Sequence, residues 1–299
     1  MKVFIIGSQG FIGRHLVKYF TGKSWQVSGC DLLEDSPAYS YYKVSVLSPD
    51  FDTLFSNNAF NVCINASGSG NVSYSITQPV SDFEANTILV SRILDSIRKH
   101  QPECKFLQIS SAAVYGNPEH LPVKETDSIA PLSPYGYHKW MSELLCREYQ
   151  QLYKLNIAII RPFSVYGNGL KKQLIWELCN KLKKQEKVKL FGTGKESRDF
   201  IHIDDLVQSI SLITDKSAFN GDVYNVASGT ETTIESVAEI FKQSVGNETR
   251  ITFSGKFRQG DPNNWKADIS RMASLGFKTT ISLKQGLSEY TKWFNTLHE

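Results

Sequence analysis

Two residues with complementary acid–base chemistry, Tyr135 and Lys139, stand four positions apart. In a helix that opens at this segment, both side chains lie on one face, one turn from each other. A neighbouring ammonium favours the phenolate, so it is expected to bring the pKa of Tyr135 from about 10 towards neutral. A phenol tuned in this way can exchange protons with a substrate hydroxyl. The spacing is also compatible with a solvated helix face, and the rest of the chain must distinguish the two.

A strand, a glycine turn and a helix are predicted at the start of the chain. Residues 2–6 form a short β-branched run, and residues 14–20 have helical spacing. Between them, Gly7 permits a tight turn, Gly10 lets the backbone approach a pyrophosphate, and Gly13 lets the helix pack closely on the strand. Free N–H groups at the helix start would then face the phosphates. The pattern predicts a dinucleotide site, although a simple turn can also contain three glycines.

Asp31 ends the second predicted strand, residues 25–30, at the distance from the glycines where an acid binds the adenosine ribose. Leu32 and Leu33 follow, so no cation directly succeeds the carboxylate. Because a carboxylate repels a 2′-phosphate, NAD is predicted over NADP. Arg14 is the opposing feature, since a cation there could bind a 2′-phosphate. A loop acid is the alternative interpretation of Asp31.

Further buried strands are predicted at residues 62–66, 105–109 and 157–160. Helical periodicity occurs between them, at residues 83–99 and from Tyr135 onwards. This alternation predicts an α/β fold with a doubly wound parallel sheet.

Ser111 follows the strand predicted at residues 105–109. Residues just past the carboxyl ends of strands face the ligand crevice of an open α/β sheet. Ser111 is therefore expected to donate a hydrogen bond to a substrate oxygen. A serine that only caps a loop is the alternative.

The rhythm of the sequence changes beyond Phe163. The predicted elements are a helix at 171–187, a strand at 188–191, a strand at 198–203 and a terminal helix at 286–293. Asp204 and Asp205 are predicted as the N-cap of the helix after the second of these strands, which makes His202 a strand residue rather than a ligand.

Composition limits the classes of function. The 299-residue chain is 41% hydrophobic and has a net charge of +3, which favours neither nucleic-acid nor membrane partners. No apolar run approaches the roughly 18 residues of a membrane span, and the opening run breaks at Gly7, too early for a signal peptide. A cytoplasmic protein without a bound metal is predicted. Scattered cysteines without a C-x-x-C pair indicate reduced thiols; they are Cys30, Cys63, Cys104, Cys146 and Cys179.

The order of the motifs resembles the extended short-chain dehydrogenase/reductases, in particular their NAD-dependent nucleotide-sugar epimerases and dehydratases. The matching segments are Gly7-x-x-Gly10-x-x-Gly13, Asp31, Ser110 to Gly116, Tyr135-x-x-x-Lys139, Arg161-Pro162-Phe163, Arg198 to Asp205, and Asn225 to Gly229. The resemblance implies a Rossmann domain of residues 1–163, with 196–228 interleaved. It also implies a smaller, C-terminal nucleotide-sugar-binding domain of residues 164–195 and 229–299.

The resemblance further implies a catalytic triad. Tyr135 would exchange a proton with a sugar hydroxyl, Ser111 would orient that oxygen, and Lys139 would hold the nicotinamide ribose and lower the pKa of Tyr135. The implied cofactor contacts are Gly7, Gly10, Phe11, Ile12, Gly13, Asp31, Ala66, Tyr135, Lys139 and Pro162. The implied substrate contacts are Ser111, Ser164, Arg198, Arg258 and Asp261. The two arginines match phosphate-binding positions of the family, with a surface ion pair as the alternative.

Several positions depart from the family pattern, and three of them bear on the reaction or the sugar. Ala112 and Ala113 replace the Asp-Glu pair with which 4,6-dehydratases eliminate water, which argues against dehydration. Ser164 replaces an Asn that usually reaches the substrate, so no particular sugar is predicted.

The leading hypothesis is NAD-dependent epimerisation of a nucleotide-activated hexose at C4, through a 4-keto intermediate, with a UDP-sugar as substrate. The stretch Arg258-x-Gly260-Asp261 resembles the UDP-galactose 4-epimerases. An NAD(P)H-dependent 4-keto-sugar reductase and a catalytically silent dinucleotide sensor are the alternatives. A homodimer is also implied, paired through the helix after Tyr135 and the helix at residues 83–99.

Overall fold

Seven parallel strands form the central sheet in a computed structural model, which describes residues 1–34, 37–45, 48–184, 187–245 and 249–297. The described strands are β1 (Lys2–Ile6), β2 (Gln26–Asp31), β3 (Ser40–Lys43), β4 (Val62–Asn65), β5 (Lys105–Ile109), β6 (Ile157–Pro162), β7 (Ser164–Tyr166), β8 (Lys187–Leu190), β9 (Ser197–His202), β10 (Asn220–Val226), β11 (Glu231–Thr233) and β12 (Arg250–Phe253).

The strand order of the large sheet is β3-β2-β1-β4-β5-β6-β10, with each neighbouring pair parallel. The chain adds strands in one direction up to β3 and then returns to place β4 on the other side of β1. The carboxyl ends of β1 and β4 therefore form a topological switch point, where open α/β sheets have their ligand crevice. The predicted doubly wound fold is confirmed.

The helices are α1 (Phe11–Gly22), α2 (Phe51–Asn57), α3 (Val72–Thr77), α4 (Pro79–Phe83), α5 (Leu89–His100), α6 (Pro134–Tyr153), α7 (Gln173–Lys184), α8 (Ile203–Lys216), α9 (Ile234–Val245), α10 (Ser270–Ser274) and α11 (Leu283–Thr296). A π-helical turn, Glu84–Ile88, joins α4 to α5, and a 3₁₀ turn, Ala112–Tyr115, follows β5.

The large sheet is covered on both faces, because its strands are apolar on both. In β1, Val3 and Ile5 belong to one core, whereas Phe4 and Ile6 belong to the other. Helices α1 and α8 pack on the first face, and α2, α5 and α6 pack on the second.

The C-terminal part has smaller sheets and its own core. Strands β7, β9 and β11 form one sheet, β8 pairs with β12 in another, and α7, α9 and α11 contribute to the core beside them. Strand β10 returns to the large sheet, so the two parts alternate along the chain. The division into residues 1–163 with 196–228, and 164–195 with 229–299, stays a prediction.

Two predicted helix boundaries shift in the structure. Helix α1 begins at Phe11, before the predicted start at residue 14, because Gly10 already has the extended backbone of an N-cap. The helix predicted at residues 83–99 extends from Pro79 to His100 and contains the π-helical turn. Proline is favoured in the first helical turn, where its missing N–H costs nothing.

The C-terminal elements also differ in detail. Asp204 and Asp205 are not the N-cap of α8, so that prediction is wrong: His202 has the extended backbone, and its Nδ1 accepts the N–H of Asp204 at 3.3 Å. Helix α7 ends at Lys184 and β8 begins at Lys187, within the predicted helix at 171–187. Residues 185–186 of that prediction lie outside the described residues.

Candidate active site

The glycine loop between β1 and α1 is packed too tightly for side chains. Gly7 has a φ of +81°, and a Cβ atom at Gly13 would lie 2.0 Å from the carbonyl oxygen of Gly7. Gly10 caps α1 without a side-chain hydrogen bond, and the first turn of α1 has no acidic residue. Free N–H groups at an uncrowded helix N-terminus fit the diphosphate of a dinucleotide.

Asp31 lies beside this loop, at the end of β2. Its Oδ2 accepts the N–H of Gln9 at 2.9 Å, and its Oδ1 accepts the N–H of Leu32 at 2.7 Å. These bonds hold the carboxylate at the loop, in the position predicted for a ribose-binding acid.

The other predicted cofactor positions flank the same edge of the sheet. Ala66 follows β4, and a Cβ atom at Gly7 would lie 2.9 Å from its carbonyl carbon. Phe11 and Ile12 open α1 and are partly buried, and Pro162 ends β6 and is buried. The structure therefore places these positions at the carboxyl ends of β1, β4 and β6, or on the helix that follows β1.

Ser111 follows β5 by two residues and is the N-cap of the 3₁₀ turn, where its Oγ accepts the N–H of Ala113 at 3.1 Å. The loop-capping role and the predicted position at the crevice therefore coexist. A hydrogen bond from Ser111 also acts on Tyr135 and lowers the pKa of that phenol. This contact brings together two members of the predicted triad.

Tyr135 and Lys139 lie in the first turns of α6. Pro134 occupies the first turn, and the Oγ of Ser133 caps the helix by accepting the N–H of Gly136 at 3.2 Å. The Lys139 Nζ lies 6.0 Å from the ring centroid of Tyr135 and donates to the carbonyl of Ile109 at 3.1 Å. Lys139 thereby links α6 to the end of β5.

The predicted lowering of the Tyr135 pKa is wrong. Burial raises the pKa of Tyr135 to about 12; the hydrogen bond to Ser111 opposes this rise, whereas the charge of Asp82 adds to it. Burial also lowers the pKa of Lys139 to about 8, and the carboxylates of Asp82 and Glu143 oppose that change. The Lys139 ammonium is turned to the Ile109 carbonyl, so desolvation determines the state of the phenol.

Sequence reasoning missed a buried polar network beneath Ser111. Arg161 and Glu143 form a two-point ion pair at 2.9 and 2.6 Å, with both side chains fully buried. Glu143 also accepts the Oγ–H of Ser110 at 2.6 Å, and Arg161 donates to the hydroxyl of Tyr115 at 2.7 Å. The Tyr115 hydroxyl donates in turn to Asn225 at 2.7 Å. Glu143 stands four residues after Lys139, a helical spacing that could have been noticed.

Asn86 is a second residue that sequence reasoning missed. It lies in the π-helical turn, and both polar atoms of its buried side chain have no hydrogen-bond partner among the described residues. Its Oδ1 would lie 2.4 Å from a Cβ atom at Gly68, in the loop after β4. Buried polar atoms are normally paired, and π-turns occur often at functional sites, so Asn86 is a candidate ligand contact. The signal was a polar residue on the inner face of a predicted helix.

The predicted substrate residues lie in the C-terminal part. Arg258 forms a two-point ion pair with Glu177 at 3.2 and 2.8 Å, and its guanidinium lies 4.5 Å from the ring centroid of Phe191. Arg198 donates to the carbonyls of Ser197 and Asn263 at 2.8 and 3.1 Å. Both cations lower the pKa of Asp261, although burial raises it overall, so the three charged groups are neighbours.

The turn from Arg258 to Asp261 packs against the start of α6, the helix that carries Tyr135 and Lys139. The N–H of Asp261 donates to the carbonyl of Arg258 at 3.2 Å, and a Cβ atom at Gly260 would lie 3.2 Å from the Cβ of Ser133. Ser164 opens β7, pairs with Phe200 of β9 and is partly buried.

The part of the chain that the structure describes has no group of three or more His, Cys, Asp or Glu side chains that could hold a metal ion, and its five cysteines are buried and free. None of the described helices combines the length and the apolarity needed to cross a membrane.

Known proteins resemble the chain over its whole length. A putative UDP-glucose 4-epimerase of Methanocaldococcus jannaschii is 28% identical over 97% of this chain and 97% of its own. A UDP-glucose 4-epimerase of Mycolicibacterium smegmatis is 25% identical over 98% of each chain. The crystal structure of UDP-glucuronic acid 4-epimerase from Bacillus cereus, in complex with UDP-glucuronic acid and NAD, superposes with a TM-score of 0.91 at 25% identity. It covers 99% of this chain and 100% of that one.

Residues 3–227 match the family described as NAD dependent epimerase/dehydratase. The matched stretch includes the glycine loop, Asp31, Ser111, Tyr135 and Lys139. The match confirms the predicted class of enzyme and NAD as its cofactor. The chain belongs to the NAD-dependent epimerase/dehydratase family.

Proposed function

We propose that this enzyme epimerises a nucleotide-activated hexose at C4, with a UDP-hexose as its substrate. The observation that carries the proposal is the meeting of Ser111, Tyr135 and Lys139 at the carboxyl edge of the sheet, beside two alanines. The relatives at 28% and 25% identity bear the name UDP-glucose 4-epimerase, which agrees in reaction and in nucleotide.

Tyr135 takes the proton of the C4 hydroxyl and later returns it to the same oxygen. Ser111 donates a hydrogen bond to that oxygen, and the Lys139 ammonium supplies a positive charge beside the phenol. NAD, held at the glycine loop and Asp31, would supply the acceptor and the donor for the C4 hydride. The phenol has a pKa of about 12 in the protein alone, so it is a strong base once ionised and re-protonates readily. A sugar that presents its other face before the hydride returns becomes the C4 epimer.

Elimination of water requires a second acid–base pair, which this loop lacks. Ala112 is fully buried, and Ala113 is partly buried in the same turn, beside the catalytic serine. Methyl groups cannot transfer protons, so the 4-keto sugar is returned to an alcohol rather than dehydrated. This composition supports an epimerase over a dehydratase.

The nucleotide end of the substrate would occupy the cleft at Arg198, Arg258 and Asp261. Guanidinium groups bind phosphate oxygens at two points, and the exposed ring of Phe191 beside Arg258 offers a flat surface to a base. In this proposal a bound diphosphate either displaces Glu177 from the Arg258 guanidinium or shares that guanidinium with Glu177. Ser164, at the start of β7, is assigned to the sugar itself.

The enzyme is also proposed to be a homodimer. Tyr137, Met141 and Leu144 form an exposed apolar stripe along α6, and Ile88 is exposed in the helical segment packed beside it. Helical spacing of three and four places the α6 residues on one face. Such a stripe is a candidate interface, and pairing with a second copy would cover it on both copies.

Met141→Glu should yield monomers in light scattering, whereas Leu33→Glu, at the opposite end of the sheet, should not. Monomers already in the wild type would refute the dimer.

The proposed activity is tested by incubating the purified enzyme with UDP-glucose, UDP-galactose and UDP-glucuronate, without reductant, and separating the C4 epimers by chromatography. Interconversion to an equilibrium mixture with no change in nicotinamide absorbance supports the epimerase. Consumption of NADH or NADPH with a 4-keto sugar would instead assign the enzyme as a reductase.

A further inference from the structure

Asp82 is a buried carboxylate packed on the catalytic helix. It lies in α4, is 0% exposed, and its Oδ2 lies 2.7 Å from the Nδ1 of His138. Its Oδ1 is also buried and has no hydrogen-bond partner among the described residues. His138 directly precedes Lys139 in α6. A carboxylate with one oxygen unpaired is costly to bury, so a positive charge nearby is expected.

Contacts around His138 fix this pair in place. The Oγ1 of Thr87 donates to the carbonyl of His138 at 3.0 Å, and the ring of Phe83 meets the imidazole edge-on at 5.3 Å. The pair therefore joins α4 and the π-helical turn to α6 through both side chain and backbone. Asp82 is thereby held against α6 at the turn that contains Lys139.

The Lys139 ammonium requires a counter-charge. It is only 5% exposed, and its hydrogen bond within the described residues goes to the neutral carbonyl of Ile109. Glu143 stands one turn further along α6, but its two oxygens are already bound by Arg161 and Ser110. Asp82 is the nearby carboxylate that keeps an unpaired oxygen.

We propose that Asp82 and His138 are positioning residues of the active site: the carboxylate of Asp82 supplies the counter-charge of the Lys139 ammonium, and His138 orients that carboxylate against the catalytic helix. The inference rests on the proposed function, because it assigns the pair a role in the same acid–base step. It adds two residues that the motifs of the sequence do not include.

The electrostatics agree with this geometry. Asp82 raises the pKa of Lys139 against the effect of burial, and Glu143 and Cys146 of α6 act in the same direction. Asp82 also raises the pKa of Tyr135. Arg161 balances the charge of Glu143 from the β6 side. Asp82 therefore favours the charged form of Lys139 and adds to the effect of burial that disfavours the phenolate, so a proton that Tyr135 takes from the sugar hydroxyl is readily returned to the sugar oxygen.

The test compares Asp82→Asn with Glu84→Gln. Asparagine keeps the shape and the bond to His138 but removes the charge, whereas Glu84 is an exposed carboxylate two residues away. The first readout needs no activity: ¹³C-labelled lysine NMR follows the titration of Lys139, whose signal is assigned by its loss in Lys139→Met. In Asp82→Asn the pKa of Lys139 should fall by about one unit, because the negative charge that raises it is removed. One pKa unit is a tenfold change in the protonation equilibrium.

Turnover supplies the second readout. The alkaline limb of the kcat profile should move to lower pH in Asp82→Asn by the same amount, so that kcat falls about fivefold at pH 8 and about tenfold near pH 9, while KM stays within about twofold. Glu84→Gln should match the wild type in both. His138→Gln can still donate to Asp82, so it should keep more than half of the increase in the pKa of Lys139 that the native Asp82–His138 pair causes.

Unchanged Lys139 titration in a folded Asp82→Asn would overturn the inference, and so would a kcat loss that is equal at every pH. If Asp82→Asn does not fold, His138→Leu, which cannot bond to Asp82, decides by the same NMR measurement: an unchanged Lys139 titration in the folded variant would exclude the orienting role of His138, whereas a downward displacement that His138→Gln does not share would support it. Failure of the proposed function has a different signature, since the wild type would then turn over no nucleotide sugar while the lysine titration still responded to Asp82.

Discussion

Glu143 and Arg161 form a fully buried ion pair, and Glu143 also accepts the hydroxyl of Ser110, one residue before Ser111. The pair connects α6 to β6 and supports the turn that carries Ser111. Removing one partner of such a pair leaves an uncompensated buried charge.

Glu143→Ala should therefore destabilise the protein by about 3–5 kcal/mol, because the Arg161 guanidinium would remain buried without its carboxylate. Urea unfolding followed by circular dichroism measures the loss. Asp95→Asn is the matched control, since Asp95 forms partly exposed pairs with Arg98 and Lys99 on α5 and ion pairs open to solvent contribute little. Equal unfolding midpoints for the two variants would show that the buried pair adds no stability.

Tyr135→Phe should reduce kcat by about 10²–10⁴-fold, because it removes the group that exchanges the proton. Tyr137→Phe, two residues away on the exposed side of α6, should retain full turnover. Steady-state kinetics with the UDP-sugar that the wild type converts gives both values, and circular dichroism verifies the fold. Substantial turnover by Tyr135→Phe would assign the acid–base role to another residue.

Lys139→Met should inactivate the enzyme and stabilise the fold. Burial lowers the pKa of Lys139 from 10.5 to about 8, which corresponds to a cost of up to about 3 kcal/mol for the buried ammonium. The unfolded chain binds the proton more tightly, so this cost is fully present below pH 8 and disappears as the pH rises from 8 to 10.5. The stability gain of Lys139→Met should accordingly be largest near pH 7 and vanish near pH 10.5 in urea unfolding. A gain that is independent of pH would contradict this account.

Arg258→Met should raise KM for the nucleotide sugar about tenfold or more, because a two-point phosphate contact is lost, with a smaller effect on kcat. Stability should change little, since the Arg258–Glu177 pair is partly exposed. Glu177→Gln is the companion variant: it keeps the side-chain shape, releases the guanidinium and should lower KM. A rise in KM for Glu177→Gln would indicate that Glu177 instead orients Arg258 for binding.

The fold and the core of the site follow from local patterns in the sequence. The close packing at Gly7, Gly10 and Gly13 can be predicted from the residue type, because glycine has no Cβ atom to crowd the neighbouring backbone at the start of α1. The position of Tyr135 and Lys139 on one face of a helix can be predicted from their spacing, because four residues make about one helical turn. The alternation of apolar strands and helices predicts the sheet for the same reason: periodicity is a property of neighbours in the chain.

Only the tertiary structure brings together groups that are distant in sequence. Asp82 and His138 are separated by 56 positions, and Glu143 and Arg161 by 18. The pKa of Tyr135 rises rather than falls because desolvation, together with the charge of Asp82, outweighs the hydrogen bond from Ser111. The sequence by itself thus identified the candidate groups for the chemistry, whereas their charges depend on which of them lose water and which opposite charge the fold places beside them.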